Sequence, residues 1–393
     1  MKILITLTVL LSFFKVCFTQ TIWGASYMNS VMQNQIISFK NNSQLQTNIN
    51  FVTVNDDNDF PVYTMTQSKI QIIATDLPIT QFQISNIKNS LNVNNVFHFP
   101  YVITGMTIIY NLPELLNFNL YNLNLTADII NDIYNGFVSY WIDSSILKVN
   151  PYLQYLCDNN IINLSGKKII PGFRSDMSST TYELTDFLKR HSSEYKGPVS
   201  LNYTNWSYRF HNENDGGKMA SWVKDIPYSF SYAKKKTALN KNCQIAALLN
   251  KNNRFVYPSD ENFIKTVEQS VVPLPIYTNW NTLSMGTDSI YLDKYPSTHF
   301  GYLITYDINN MKLDLFNKTV LNNFLVYLFA NKNSKFYLPK FYIQAPDNIL
   351  NINFNYVNTY INPNTVNSAF KNLKITHLFQ FFIFLSVLLT YFF

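Results

Sequence analysis

The amino-acid sequence predicts an α/β protein of two domains, and three observations lead there. Short apolar runs rich in β-branched residues alternate along the chain with stretches whose apolar residues recur at helical spacing. Several of the runs end at a polar corner, as strands buried in a parallel sheet do. The chain has 393 residues, a length that favours two domains over one. A composition of 47% hydrophobic and 14% charged residues belongs to an ordered, globular chain. The formal net charge of +6 is modest. The lysines are scattered, and no basic run interleaved with aromatics points to nucleic acid.

Each element follows in order. In "SYMNSVMQNQIISFK", Met28, Val31, Met32, Ile36 and Phe39 fall near one face of a helix. "IQIIATD" is a short buried strand, and "HFPYVITGMTIIYNLP" holds two strands broken at Gly105. "LTADIINDIYNGF" is a helix with Thr126 as N-cap and Gly136 just past its end. "KKIIPGF" is a strand, and "TTYELTDFLKRH" is a helix with Leu184, Phe187 and Leu188 on one stripe. "HFGYLITYD" is a strand and "VLNNFLVYLFAN" a helix. Crossings between the domains are expected near 99–104 and 295–301, which makes the first domain discontinuous: 20–102 with 298–366, the second being 103–297.

Both ends read as targeting segments. Residues 1–19 carry one Lys, an apolar run and small residues near Thr19, the pattern of a secretory signal peptide. Residues 367–393 begin with small residues, Asn367 and Ser368 being the candidate attachment sites. A polar spacer with Lys371 and Lys374 and an apolar end follow. That order matches a glycosylphosphatidylinositol (GPI) attachment signal, with a single transmembrane helix as the alternative. Either expectation places the mature chain on the extracellular face of the plasma membrane, held by its C-terminus. Export leaves Cys157 and Cys243 as a candidate disulfide. Candidate N-glycosylation sites stand at Asn41, Asn124, Asn163, Asn202, Asn205 and Asn317.

The chemistry concentrates in "GFRSDMSSTTYEL". The chain has four Arg, and Arg174 is the one that lies beside a run of hydroxyls. Thr180 with Glu183 fits a capping box, so a helix is expected to start near Thr180. A helix start offers free N–H groups and the positive end of the macrodipole to an anion. Ser178, Ser179, Thr180 and Thr181 add hydroxyl donors. Arg174 adds a planar fork suited to a tetrahedral oxyanion, with Asp176 to hold it. Asp76 ends an apolar strand, where ligands of parallel α/β sheets bind. An ionised Asp accepts a hydrogen bond from a protonated oxyanion and repels one with no proton, so it selects phosphate over sulfate. Ser26, ahead of the first amphipathic helix, is a candidate N-cap and a further wall of the site.

In this order the pieces resemble the phosphate-binding proteins of bacterial phosphate ABC transporters, which have the type II periplasmic-binding-protein fold. The family's opening G-A-T-F-like turn is similar to Gly24-Ala25-Ser26-Tyr27, its A-S-D-x-P-L strand end to "ATDLPI", and its P-x-V-x-G run to "PYVITGMTIIYNLP". "GFVSYWID", "RSDMSSTT", "KNNRFVYPS" and "YPSTHFGYLITY" match its later motifs in order, up to about residue 360. The resemblance implies two lobes, each a mixed sheet flanked by helices, hinged and closing on a dehydrated phosphate. Carried over, the contacts are Ser26, the Tyr27 amide and Asp76 from one lobe, and Arg174, Ser178, Ser179 and Thr180 from the other, with Asp176 orienting Arg174. Two family glycines are replaced by Met177 and Ser179, and the turn before the Asp76 strand carries Asp56, Asp57 and Asp59, acids that disfavour an anion.

The expectation is therefore a surface protein that binds inorganic phosphate without catalysis. Its alternative is an interaction or adhesion protein on the same scaffold. His98, His191, His211, His299 and His377 form no metal-binding pair and no G-x-S-x-G elbow is present, so no enzyme, cofactor or metal site is expected. Nothing in the chain names a permease partner.

Overall fold

The computed structural model describes residues 19–43, 48–54, 59–116, 122–202, 206, 210–277, 280, 293–307, 315–330 and 338–360. The expected leader lies outside these residues except for Thr19, which opens the first strand. The expected attachment signal, with Asn367 and Ser368, also lies outside them. Among the described residues no helix is long and apolar enough to cross a membrane.

Among the described residues fourteen strands run in chain order. The first four are β1 (Thr19–Ala25), β2 (Asn48–Val54), β3 (Ile72–Thr75) and β4 (Val96–Thr104). Next come β5 (Met106–Tyr110), β6 (Asn124–Leu125), β7 (Ile170–Arg174), β8 (His211–Glu213) and β9 (Ser229–Lys234). The last are β10 (Gln244–Ile245), β11 (Ala247–Leu249), β12 (Phe255–Val256), β13 (His299–Tyr306) and β14 (Ile343–Gln344). One lobe holds a six-stranded sheet in the order β14-β4-β13-β3-β1-β2. The other holds a five-stranded sheet, β10-β5-β9-β7-β8, with a small third sheet, β12-β11-β6.

Both large sheets are mixed. β1 pairs in parallel with β2 and β3, and β7 with β8 and β9. These are the strands followed by a helical crossover. β13 runs antiparallel between β3 and β4 because the chain enters it from the other lobe rather than through a crossover helix. The break at Gly105 falls between β4 and β5. A Cβ there would lie 2.2 Å from the Ser297 carbonyl and 2.4 Å from the Phe263 ring. The two passages of the chain between lobes thus touch backbone to backbone, where only glycine fits.

One apolar cluster runs through both lobes, and a smaller one gathers Ile109, Met219, Ala220, Val223 and Ile245. The candidate disulfide is not made: Cys157 and Cys243 are separate thiols. Cys157 packs on the large cluster and Cys243 on the small one, where its Sγ donates to the Ala220 carbonyl at 3.3 Å. Of the sequons, Asn41, Asn163 and Asn202 are exposed and Asn205 lies outside the described residues. Asn317 is 6% exposed within the helix Leu315–Ala330, where a glycan has no room. Asn124 sits in β6 with its amide donating to the Val149 carbonyl at 3.1 Å.

Candidate anion site

Two strand ends from different lobes meet at the site. β3 delivers Asp76, which is 1% exposed, and the turn after it is fixed by Leu77 N–H donating to Thr75 Oγ1 at 3.1 Å. β7 delivers Arg174, and a four-residue loop leads to the helix Ser179–His191. The cap of that helix is Ser178, whose Oγ accepts from Thr180 N–H at 3.2 Å. The capping box expected at Thr180 is not made. Glu183 turns inwards instead, because the cap falls two residues earlier, at Ser178, and the helix buries the face that carries Glu183.

The hydroxyl run is enclosed: Ser178, Ser179, Thr180 and Thr181 are all at most 3% exposed. Arg174 is 7% exposed, with Nε donating to Asp176 Oδ1 at 2.7 Å and Nη2 to Oδ2 at 2.5 Å. Asp176 therefore orients the guanidinium as a two-point clamp. On another side, the helix Gly216–Asp225 starts so close that a Cβ on Gly216 would lie 2.8 Å from Arg174 Nη1. Tyr232, on β9, ties these parts together: its hydroxyl accepts from Arg174 N–H at 3.0 Å and meets Thr181 Oγ1 at 2.9 Å.

Contact between the lobes is direct. Ser179 Oγ donates to Asp76 Oδ2 at 2.7 Å. Lys234 Nζ reaches the same oxygen at 2.8 Å and Glu183 Oε1 at 2.6 Å. Lys234 closes β9, two residues after Tyr232, so both side chains leave the same face of the strand. The Tyr27 ring lies over the ammonium, 5.4 Å from Nζ to the centroid. Burial pushes the Glu183 carboxyl up to about 7, against the pull of Lys234 and with a further push from Asp76. Burial works to lower the Lys234 ammonium, but Asp76 and Glu183 together outweigh it and hold the group above its ordinary value. Asp76 Oδ1 has no hydrogen-bond partner among the described residues and remains an acceptor.

Other expectations fare differently. Ser26 is exposed in a 3₁₀ turn, and the helix proper begins at Asn29 with no side-chain cap, so the expected Ser26 cap is not made. Neither Met177 nor Ser179, standing where the family has glycine, adopts a positive φ. Met177 is exposed, and Ser179 starts the helix, so neither replacement calls for a backbone conformation that only glycine adopts. Asp56 and Asp57 lie outside the described residues, while Asp59 is exposed and accepts from Gln83 Nε2 at 2.7 Å.

Lys234, Glu183 and Tyr232 are the residues that sequence reasoning missed. Lys234 opens the run "KKK" and reads as a solvated surface cluster. Its place at the end of an apolar strand was the one available signal. Beside Asp76 lies a narrow recess whose lining includes Tyr182, Asp186, Trp280, His299 and Tyr302. Its free space of about 10 Å³ is roughly one water molecule's worth, too little for an organic group. Among the described residues no cluster of three or more His, Cys, Asp or Glu side chains is placed to hold a metal ion.

No protein-family model matches the chain. It is similar to the phosphate-binding protein PstS of Methanocaldococcus jannaschii, 29% identical over 268 residues, 66% of each chain. The PstS of Pasteurella multocida is 32% identical over 176 residues, 44% of this chain and 46% of that one. The chain thus spans at most about two thirds of the length of these relatives. Among solved structures, a DING protein superposes with a TM-score of 0.60 at 14% identity, covering 84% of this chain and 92% of that one. A possible phosphate-binding protein from Planctomyces limnophilus gives a TM-score of 0.51 at 13% identity, covering 87% and 98%. In sequence and in fold the chain is PstS-like, with the two-lobed α/β architecture of the periplasmic phosphate-binding proteins.

Proposed function

We propose that this protein captures inorganic phosphate between its lobes and performs no chemistry on it. The observation that carries the reading is the hydrogen bond from Ser179 to Asp76. It sets the carboxylate of one lobe against the start of the helix Ser179–His191 in the other, the helix that follows the strand carrying Arg174. The donors suit an oxyanion: the helix N-terminus, the enclosed hydroxyls and Arg174. Asp76 Oδ1 supplies an acceptor for the proton of a hydrogen phosphate. The relatives, PstS proteins, are phosphate-binding by name, which supports the same ligand. The lobes supporting this role are 20–102 with 298–366, and 103–297. The leader-like and anchor-like ends support a place on the extracellular face of the plasma membrane. Release of the protein from intact cells by a phosphatidylinositol-specific phospholipase checks the lipid anchor, and retention favours a spanning helix.

Calorimetry of the full-length protein with phosphate tests the binding. Saturable one-to-one heat is expected, and Arg174→Met is expected to weaken it by about 100-fold, close to 3 kcal/mol. Absence of binding in the wild type removes the reading. A second reading, an interaction protein on the same scaffold, is favoured by one observation: Asp76 Oδ2 already accepts from both Ser179 and Lys234.

A further inference from the structure

A carboxylate in an anion site discriminates by charge and by protons. Standing alone and ionised, it accepts the hydrogen of a protonated oxyanion and repels an oxyanion that carries none. Asp76 does not stand alone. Its side chain is fully enclosed, and the Lys234 ammonium, 6% exposed at its side chain, lies 2.8 Å from Oδ2. At that distance, out of water, the two charges largely cancel for anything beyond them. Arg174 is balanced by Asp176 in the same way.

Lys234 is also held in place. Glu183 grips it from the other side at 2.6 Å, and the Tyr27 ring covers it. An ammonium has three N–H donors. Two are directed at Asp76 and Glu183, and among the described residues no hydrogen-bond acceptor takes the third. The third N–H has the Tyr27 ring rather than an oxygen for a neighbour, a weak contact that an anion oxygen bringing no hydrogen can replace.

We propose that Lys234 is a specificity-determining residue of the anion site: by cancelling the charge of Asp76 and offering a spare N–H, it widens the ligand class from proton-bearing phosphate to tetrahedral oxyanions without a proton, such as sulfate. The inference rests on the phosphate-binding reading. It differs from what Asp76 alone predicts, which is rejection of sulfate.

The test is calorimetry of the full-length protein with inorganic phosphate and with sulfate at neutral pH. The wild type is expected to bind sulfate within about tenfold of phosphate, and Lys234→Met to widen that ratio beyond about 100-fold. Lys234→Met strands two carboxylates in the interior and stands to unfold the chain. The double variant Lys234→Met/Glu183→Gln removes one of those charges and is read in the same way, with a thermal melt to confirm folding. Phosphate binding with sulfate more than about 100-fold weaker in the wild type overturns the inference and leaves the phosphate reading intact. So does a phosphate-to-sulfate ratio that is the same with and without Lys234. Binding of neither anion by the folded wild type removes the phosphate reading and this inference with it.

Discussion

Glu183 shows how much one side chain decides. Its carboxyl is pushed up to about 7 in the folded chain by burial, opposed by Lys234. The ordinary value is near 4.5. A group raised on folding contributes stability that is complete below its unfolded pKa and is lost as pH rises through the folded one. The Glu183 contribution is therefore present at pH 4 and gone above pH 7, a change of about 3 kcal/mol. Three histidines, His98 buried and His191 and His299 partly so, act in the opposite sense. Burial lowers His98 and His299 to about 3 and His191 to about 4, so their contribution is present above pH 6.5 and is lost on acidification. The difference between wild type and Glu183→Gln isolates the acid. Urea denaturation between pH 4.5 and 8 is expected to show the wild type losing about 3 kcal/mol relative to the variant. A constant difference across that range would show that Glu183 does not titrate there. At this scale the sequence was only half legible. Arg174, Asp176 and Asp76 carry their chemistry in their residue types. Glu183 reads equally well as a helix-cap partner or as a buried acid, because nothing local records which face of the helix is covered.

The elements show the same division. The pattern T-x-x-E/Q occurs at Thr80–Gln83 and at Thr180–Glu183. A capping box forms at the first, where the helix start is exposed, with Thr80 N–H donating to Gln83 Oε1 at 2.8 Å. It does not form at the second, where burial and a nearby ammonium outweigh the local bond. Strand β1 shows the reverse, a local residue set by distant packing. It is sandwiched between β2 and β3, and a Cβ on Gly24 would lie 1.7 Å from the Ala74 carbonyl oxygen. No side chain there can move aside, since the obstacle is backbone. Gly24→Ala is expected to lower stability by about 3 kcal/mol, read as a lower denaturation midpoint, and to weaken phosphate binding because β3 carries Asp76. An unchanged midpoint would mean that the sheet spreads freely at this point. Elsewhere the periodicity was a sufficient guide: Thr126 caps its helix with Oγ1 accepting from Ile129 N–H at 3.1 Å, and Gly136 ends it in the left-handed region.

For the molecule as a whole, polar ties between the lobes add to the apolar cluster that runs through both. Besides the Ser179–Asp76–Lys234 junction, Tyr342 forms a second tie next to β14. Its hydroxyl takes a hydrogen bond from Lys236 Nζ at 3.0 Å, meets Ser30 Oγ at 3.0 Å and bonds the Tyr27 carbonyl. Lys236 comes from the other lobe, in the helix Lys235–Asn240. Tyr342→Phe is expected to loosen the closed arrangement and to weaken phosphate binding about fivefold, close to 1 kcal/mol, without touching the ligand. An unaltered affinity by calorimetry would place the latch elsewhere. Phosphate at 100 times its dissociation constant is expected to stabilise the wild type by about 2.7 kcal/mol, and the melting temperature should rise accordingly.

The sequence by itself determined the α/β class, the alternation of strands and helices, and the presence of residue types suited to an oxyanion. These are properties of local spacing and side-chain chemistry, and both are written in order along the chain. Only the tertiary structure decided that Lys234 leaves a run of lysines to stand between two buried carboxylates, that Glu183 faces inwards, and that the two cysteines stay apart. Those outcomes depend on which faces are withdrawn from water when the two lobes meet. That burial sets the strength of every charge in the site, and it has no signature in the spacing of neighbouring residues.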